Sequence, residues 1–150
     1  MPNKKEFIQT LVIHTSPENI WRVWMAVDEW PLWTDTILSI KKLSPGSLQT
    51  DSRVLIEQPK LAKAVWKVTE FEPVKQFTWS KTNLLLRIDA IHALESTSGG
   101  CIVTLVIKFS GLFANLINKK TCALVDSYLV RESQNLKQFC ENKFSNGAAS

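Results

Sequence analysis

In this 150-residue chain, specific chemistry could fall to two histidines, three cysteines, one tyrosine and six tryptophans. His92 sits in the stretch Leu84 to Glu95, where Leu86, Ile88, Ala90, His92 and Leu94 alternate with Arg87, Asp89 and Glu95. That alternation puts the imidazole on the apolar face of a strand. There it suits a general acid or base, a donor to a ligand carbonyl, or a core histidine bonded to a neighbour. Arg87 and Asp89 fall on the opposite face as solvated or cross-strand charges. Trp24, Trp30, Trp33, Trp66 and Trp79 offer flat apolar walls. Aromatic residues of this kind line ligand pockets and also fill ordinary cores. Trp24 is expected in the core and Trp21 on the outer face of its helix, while Trp33, Trp66 and Trp79 stand as candidate pocket walls. Tyr128 falls in a helical apolar stripe, where its hydroxyl either orients a ligand or caps a half-buried ring. Phe113, beside Leu112 at the start of that helix, is placed at a cavity mouth. Asp126, Arg131 and Glu132 are expected on exposed helix faces, and His14 at the surface.

Several chemistries are set aside. The two histidines are far apart and no Cys pair has two-residue spacing, so no zinc or other metal site is readable. There is no phosphate-binding loop, dinucleotide fingerprint or nucleophile elbow, so no cofactor is expected and no catalytic set is assigned. Cys122 and Cys140 lie roughly 27 Å apart on one expected helix and cannot bridge. With Cys101 they read as reduced thiols in a cytoplasmic protein. The net charge of +4 is spread over scattered lysine pairs, which predicts a solvated surface and no nucleic-acid binding. No apolar run approaches eighteen residues, and the N-terminal stretch has no signal-like core, so neither membrane insertion nor secretion is expected.

These residues need elements to hold them, and the longest is a helix expected over Leu112 to Asn142. It follows Gly111, contains no Gly or Pro, and carries Phe113, Leu116, Ile117, Leu124, Tyr128, Leu136 and Phe139 at three- and four-residue steps. About thirty residues of helix span roughly 45 Å, so it requires a broad apolar surface. Strands supply that surface: Phe7 to His14, Ile37 to Leu43, Arg53 to Gln58, Ala64 to Phe71, Phe77 to Ser80, Leu84 to Glu95 and Cys101 to Phe109. Between the first two, Ser16 suits an N-cap, Pro17 the first helical position and Glu18 the first turn. Asp28 is expected to cap a second short helix carrying Trp30 and Trp33. The tail from Ser145 is expected to fray. The order β-α-α-β-β-β-β-β-β-α, with short later loops, predicts an α+β fold: an antiparallel meander against one long C-terminal helix, with two short helices after the first strand. With an apolar fraction of 45%, residues 1–150 make one domain.

Several stretches carry a resemblance over about residues 6 to 142. They are Thr15-Ser16-Pro17-Glu18-Asn19-Ile20-Trp21, Trp30-Pro31-Leu32-Trp33, Val68-Thr69-Glu70-Phe71-Glu72-Pro73 and Phe77-Thr78-Trp79. Ala90 to Glu95 before Gly99-Gly100-Cys101-Ile102-Val103-Thr104, and Phe109-Ser110-Gly111 before the long helix, complete the set. In these the chain resembles the START-like, or helix-grip, superfamily (SRPBCC), in its polyketide cyclase/dehydrase-like branch. The resemblance implies a curved antiparallel sheet gripping the C-terminal helix, with a deep apolar cavity between them. It also implies binding of a small hydrophobic molecule such as a lipid, polyketide or aromatic compound. Trp33, Trp66, Trp79, His92, Phe113 and Tyr128 are the expected ligand contacts. Two alternatives stand beside binding: a cyclase- or dehydratase-like enzyme acting on a poly-keto or aromatic substrate, and a protein-interaction module. An enzyme needs at least two convergent titratable groups, and alternation offers only His92, so binding ranks first. A weak homodimer is left open.

Overall fold

The computed structural model describes residues 4–148. In chain order it forms β1 (Lys4–Ile13), α1 (Pro17–Met25), a 3-10 helix (Val27–Leu32), β2 (Ser39–Lys42), β3 (Arg53–Glu57) and β4 (Ala64–Glu72). Then come β5 (Gln76–Thr82), β6 (Arg87–Thr97), β7 (Gly100–Ser110), a second 3-10 turn (Ala114–Leu116) and α2 (Lys119–Ala148). The seven strands make one sheet in the order β1-β7-β6-β5-β4-β3-β2, antiparallel at every step. From β2 to β7 each strand pairs with the next in sequence, as a meander requires; the exception is β1, which pairs with β7 at the far edge. A register shift in β4 between Val68 and Glu70 helps bend the sheet. The inward face carries Val54, Ile56, Trp66, Val68, Phe77, Trp79, Val103 and Leu105, and α2 closes over it with Leu129, Leu136 and Cys140.

α1 begins as expected. The Ser16 side chain accepts the Asn19 N–H at 3.2 Å, and Pro17 fills the first turn, where no N–H is needed. The short helix after it starts at Val27, two residues earlier than a cap at Asp28 would set it, and is not capped by Asp28. Ala26 precedes it with no side-chain cap, and the Glu29 N–H reaches the Ala26 carbonyl at 3.0 Å. The Trp30 indole Nε1–H donates to the Trp24 carbonyl at 3.1 Å, binding this helix to the end of α1. Trp21 is a correction. It is 9% exposed and packs on Trp24, Phe71 and Phe77 instead of covering an outer face.

The long helix starts at Lys119, not Leu112. Asn118 is the reason: its side-chain oxygen accepts the Thr121 N–H at 2.8 Å and its carbonyl accepts the Cys122 N–H at 3.0 Å. A side-chain cap at that position stops helix from propagating back toward Gly111. Phe113 and Leu116, placed in the stripe by spacing alone, are therefore 45% and 71% exposed. The buried stripe is Val125, Tyr128, Leu129, Leu136 and Cys140. At its other end α2 runs to Ala148, past the expected fray at Ser145, and the last two residues lie outside the described residues. Asn118→Ala is expected to cost about 1 kcal/mol of stability, read from the midpoint of urea unfolding. No change in midpoint would mean that the cap is incidental to where α2 begins.

Candidate functional site

A cavity of about 290 Å³ lies between the inner face of the sheet and α2. Strand alternation builds its floor. Trp79 and Ala90 are direct cross-strand partners, and Lys81 pairs with Ile88 further along the same two strands. β7 adds Leu105 and Ile107. Trp66 and Ile56 form the side toward β3, and Trp30 enters from the first 3-10 helix. The roof is α2, where Thr121, Val125, Tyr128, Leu129 and Glu132 recur mainly at three- and four-residue steps. Segment 58–64 brings Gln58, Leu61, Ala62 and Ala64 to one side.

Four titratable groups face this space: Lys81, His92, Tyr128 and Glu132. His92 is 4% exposed and enclosed by aromatic rings. It stacks on Phe77 at 4.2 Å with 5° between planes, and Trp24, Trp30 and Trp79 stand at 5.4 to 5.7 Å. Burial holds its pKa down at about 3, against smaller upward pulls from the backbone of Phe77 and Ala90. The ring is neutral at physiological pH, and its Nδ1 has no hydrogen-bond partner among the described residues.

Glu132 is the group that residue type misplaces. A charged side chain on a helix is expected on an exposed face, yet Glu132 lies one turn beyond Tyr128 and lines the cavity. Its carboxyl has no hydrogen bond or ion pair to any described residue. Desolvation pushes its pKa up to about 7. The residue keeps some accessible surface. The neighbouring charge is already committed elsewhere, since Arg131 pairs with Asp35. Lys81 is half-buried with its Nζ 5.4 Å from the centre of the Trp66 ring, and burial lowers its pKa. The Tyr128 hydroxyl donates to the Pro59 carbonyl, which ties α2 to the β3–β4 connection and leaves the ring as wall. Burial is the main reason its pKa is raised.

Of the six residues singled out from sequence, the cavity brings together Trp66, Trp79, His92 and Tyr128. Trp33 and Phe113 are not part of its lining. Trp33 is 7% exposed and packed on Trp30 and Phe139, with its indole nitrogen unpartnered among the described residues. Phe113 sits on the loop before α2, its N–H donating to the Leu85 carbonyl at 3.0 Å. Of the four titratable lining groups, Lys81 and Glu132 are not among the residues singled out. For Glu132 a signal exists, because Val125, Tyr128 and Glu132 fall on one helix face; only the residue type argues against it. No cluster of metal-ligating side chains occurs among the described residues. No helix among them is long and apolar enough to cross a membrane.

No family model matches the chain, and no curated protein matches it. Solved structures do. The chain is similar to the Zhui aromatase/cyclase from Streptomyces sp. R1128, with TM-score 0.75 and 11% identity over 93% of this chain and 95% of that one. It is similar to Ara h 8.0201, with TM-score 0.73 and 11% identity over 93% and 99% of the two chains. The protein TTHA0849 from Thermus thermophilus matches with TM-score 0.73 and 13% identity, again over 93% and 99%. Identities this low speak to fold, and the fold is the helix grip: an open seven-stranded antiparallel sheet around a long C-terminal helix, with short helices after the first strand.

Proposed function

We propose that the protein binds a small hydrophobic molecule in the space between the sheet and α2. The observation that carries this reading is the cavity itself. Three tryptophans, Trp30, Trp66 and Trp79, stand on its walls, and its few polar groups include an unpartnered His92 Nδ1. An apolar space with a few unmatched polar groups is the usual form of a small-molecule site. Burial of ligand area at about 25 cal/mol per Å² supplies the affinity. His92 and Glu132 fix orientation, because a buried polar group without a partner gains most from a ligand that provides one.

A second reading is favoured by one specific observation. Glu132 and His92 are two titratable groups lining one cavity, with pKa values of about 7 and about 3. The Glu132 carboxyl, near half-protonation, can take a proton from carbon as the base and return one to oxygen as the acid, while the neutral imidazole offers a hydrogen bond to the substrate's carbonyl oxygen. Dehydration or cyclisation of a keto substrate is the matching reaction class, and one of the similar structures is named as an aromatase/cyclase.

Native mass spectrometry of the protein purified from its own source, followed by denaturing extraction, tests the first reading. A co-purifying apolar compound is expected. Trp79→Ala is then expected to weaken its binding about tenfold or more, since a lost aromatic contact costs on the order of 1.5 kcal/mol. An empty protein that shows no thermal shift against a hydrophobic library, or equal affinity in Trp66→Ala and Trp79→Ala, would remove these walls from the site. Turnover that vanishes in Glu132→Gln while binding persists would move the enzyme reading to first place.

A further inference from the structure

Three segments frame one end of the cavity, 59–63, 81–88 and 111–121, and each contributes lining residues: Leu61 and Ala62, Leu86 and Ile88, Ile117 and Thr121. In sequence they are far apart. Together they hold six of the chain's 18 basic residues and none of its 14 acidic ones, which leaves the rest of the chain net acidic. Lys63 is met by Glu57 and Arg87 by Asp89. Lys60, Lys81, Lys119 and Lys120 have no ion pair among the described residues, and all but Lys81 are exposed.

The same end carries the most exposed large apolar side chain among the described residues. Leu84 is 96% exposed at the tip of the β5–β6 connection, and nearby Leu116 is 71% and Phe113 45% exposed. These side chains sit on held backbone. The Asn83 side-chain oxygen accepts the N–H groups of Leu85 and Leu86, both at 2.9 Å. The Phe113 N–H then clips the second loop to the first through the Leu85 carbonyl at 3.0 Å. Gly111 makes this approach possible: at φ +104 it lies so close that an added Cβ would stand 2.8 Å from the Leu85 carbonyl oxygen. The result is two clipped loops that project leucine and phenylalanine outward, with exposed lysines beside them.

We propose that this end of the molecule docks on an anionic lipid bilayer, with Leu84, Phe113 and Leu116 entering the headgroup region and Lys60, Lys119 and Lys120 facing the lipid phosphates. Separate protruding apolar side chains on loops match a fluid surface, which needs no shaped counterpart, better than the flat packed core of a protein interface. Attraction of each lysine to an anionic leaflet adds to the apolar contact and fades with salt. Docking is peripheral and needs no spanning helix. It opens the cavity end toward the phase where an apolar ligand would reside, yet the surface stands whatever the cavity holds.

Co-sedimentation with vesicles of phosphatidylcholine, with and without phosphatidylglycerol, tests this directly. Binding is expected only to the mixed vesicles and is expected to fall at least tenfold in high salt. The triple variant L84S/F113S/L116S and the double variant K119E/K120E are each expected to lose at least tenfold in affinity. All five positions are exposed, so circular dichroism should stay unchanged. Leu84→Trp should show a blue-shifted emission on mixed vesicles. The proposal is overturned if the parent protein ignores mixed vesicles, which would point the basic end toward an acidic protein instead. It is also overturned if the triple variant binds as well as the parent. Trp79→Ala, a change at a buried wall residue outside the docking face, is expected to bind vesicles normally once circular dichroism shows it folded, so failure of ligand binding and failure of docking are read separately.

Discussion

Glu132→Gln is expected to stabilise the unliganded protein above neutral pH by about 3 kcal/mol and to leave its stability below pH 4.5 nearly unchanged. The sign follows from burial. The carboxyl has an ordinary value of 4.5 when unfolded and about 7 when folded. Between those values the folded protein holds a proton that the unfolded chain has released, so stability falls as pH rises through the window. A glutamine keeps the shape and does not titrate. His92 acts with the opposite sign. Its folded value of about 3 lies below the unfolded 6.5, so its contribution is present above pH 6.5 and is lost as pH falls toward 3. From pH 4.5 to 6.5 the two groups therefore oppose each other, and their combined effect leaves the parent profile flat. Urea unfolding at half-unit steps of pH measures both proteins. The difference in favour of the variant should grow by about 3 kcal/mol between pH 4.5 and 7 and then level off. A difference that stays constant across that window would mean the Glu132 carboxyl is solvated and cannot anchor anything in the cavity.

Trp24→Ala carries the other large effect. Trp24 is 1% exposed and presents its edge to Phe77 and to His92 at 5.7 and 5.4 Å. Its removal is expected to cost about 3–5 kcal/mol and to lower Tm by roughly 10 °C or more. The hole opens beside the imidazole. Since desolvation is what depresses the His92 pKa, water entering the hole should raise it toward 6.5. NMR titration of the His92 ring proton reads that rise independently of stability. A ring that still titrates near 3, or a loss under about 1 kcal/mol, would show that the neighbouring rings close over the gap.

Legibility depends on whether the cue is local. Ser16 and Pro17 declare a helix start within four residues of Asn19, and the strands from β4 to β7 declare themselves through alternation, so the architecture and the inward placement of His92 are readable. The start of α2 is not, because apolar spacing continues back to Phe113 while one polar side chain, Asn118, decides the boundary. Trp33 reads as a wall because it shares a face with Trp30, but Phe139 of α2 packs against it. Glu132 is misplaced when residue type overrides position: glutamate is rarely buried, and a rare arrangement is where a site is expected to differ from a core. The basic end of the cavity is invisible for another reason. Its charges come from three stretches that look ordinary one at a time, and only the fold collects them.

The first strand of the chain has no partner among its neighbours in sequence. β1 pairs along its whole length with β7, from Lys4 opposite Ser110 to Ile13 opposite Cys101. During synthesis at about 5–20 residues per second, that strand leaves the ribosome several seconds before the segment that completes it. Until then its edges and its apolar residues Phe7, Ile8, Leu11, Val12 and Ile13 are open to other chains or to a chaperone. Closing so long a loop slows folding for a domain of this size, and the strand pair it completes is the one on which α2 rests.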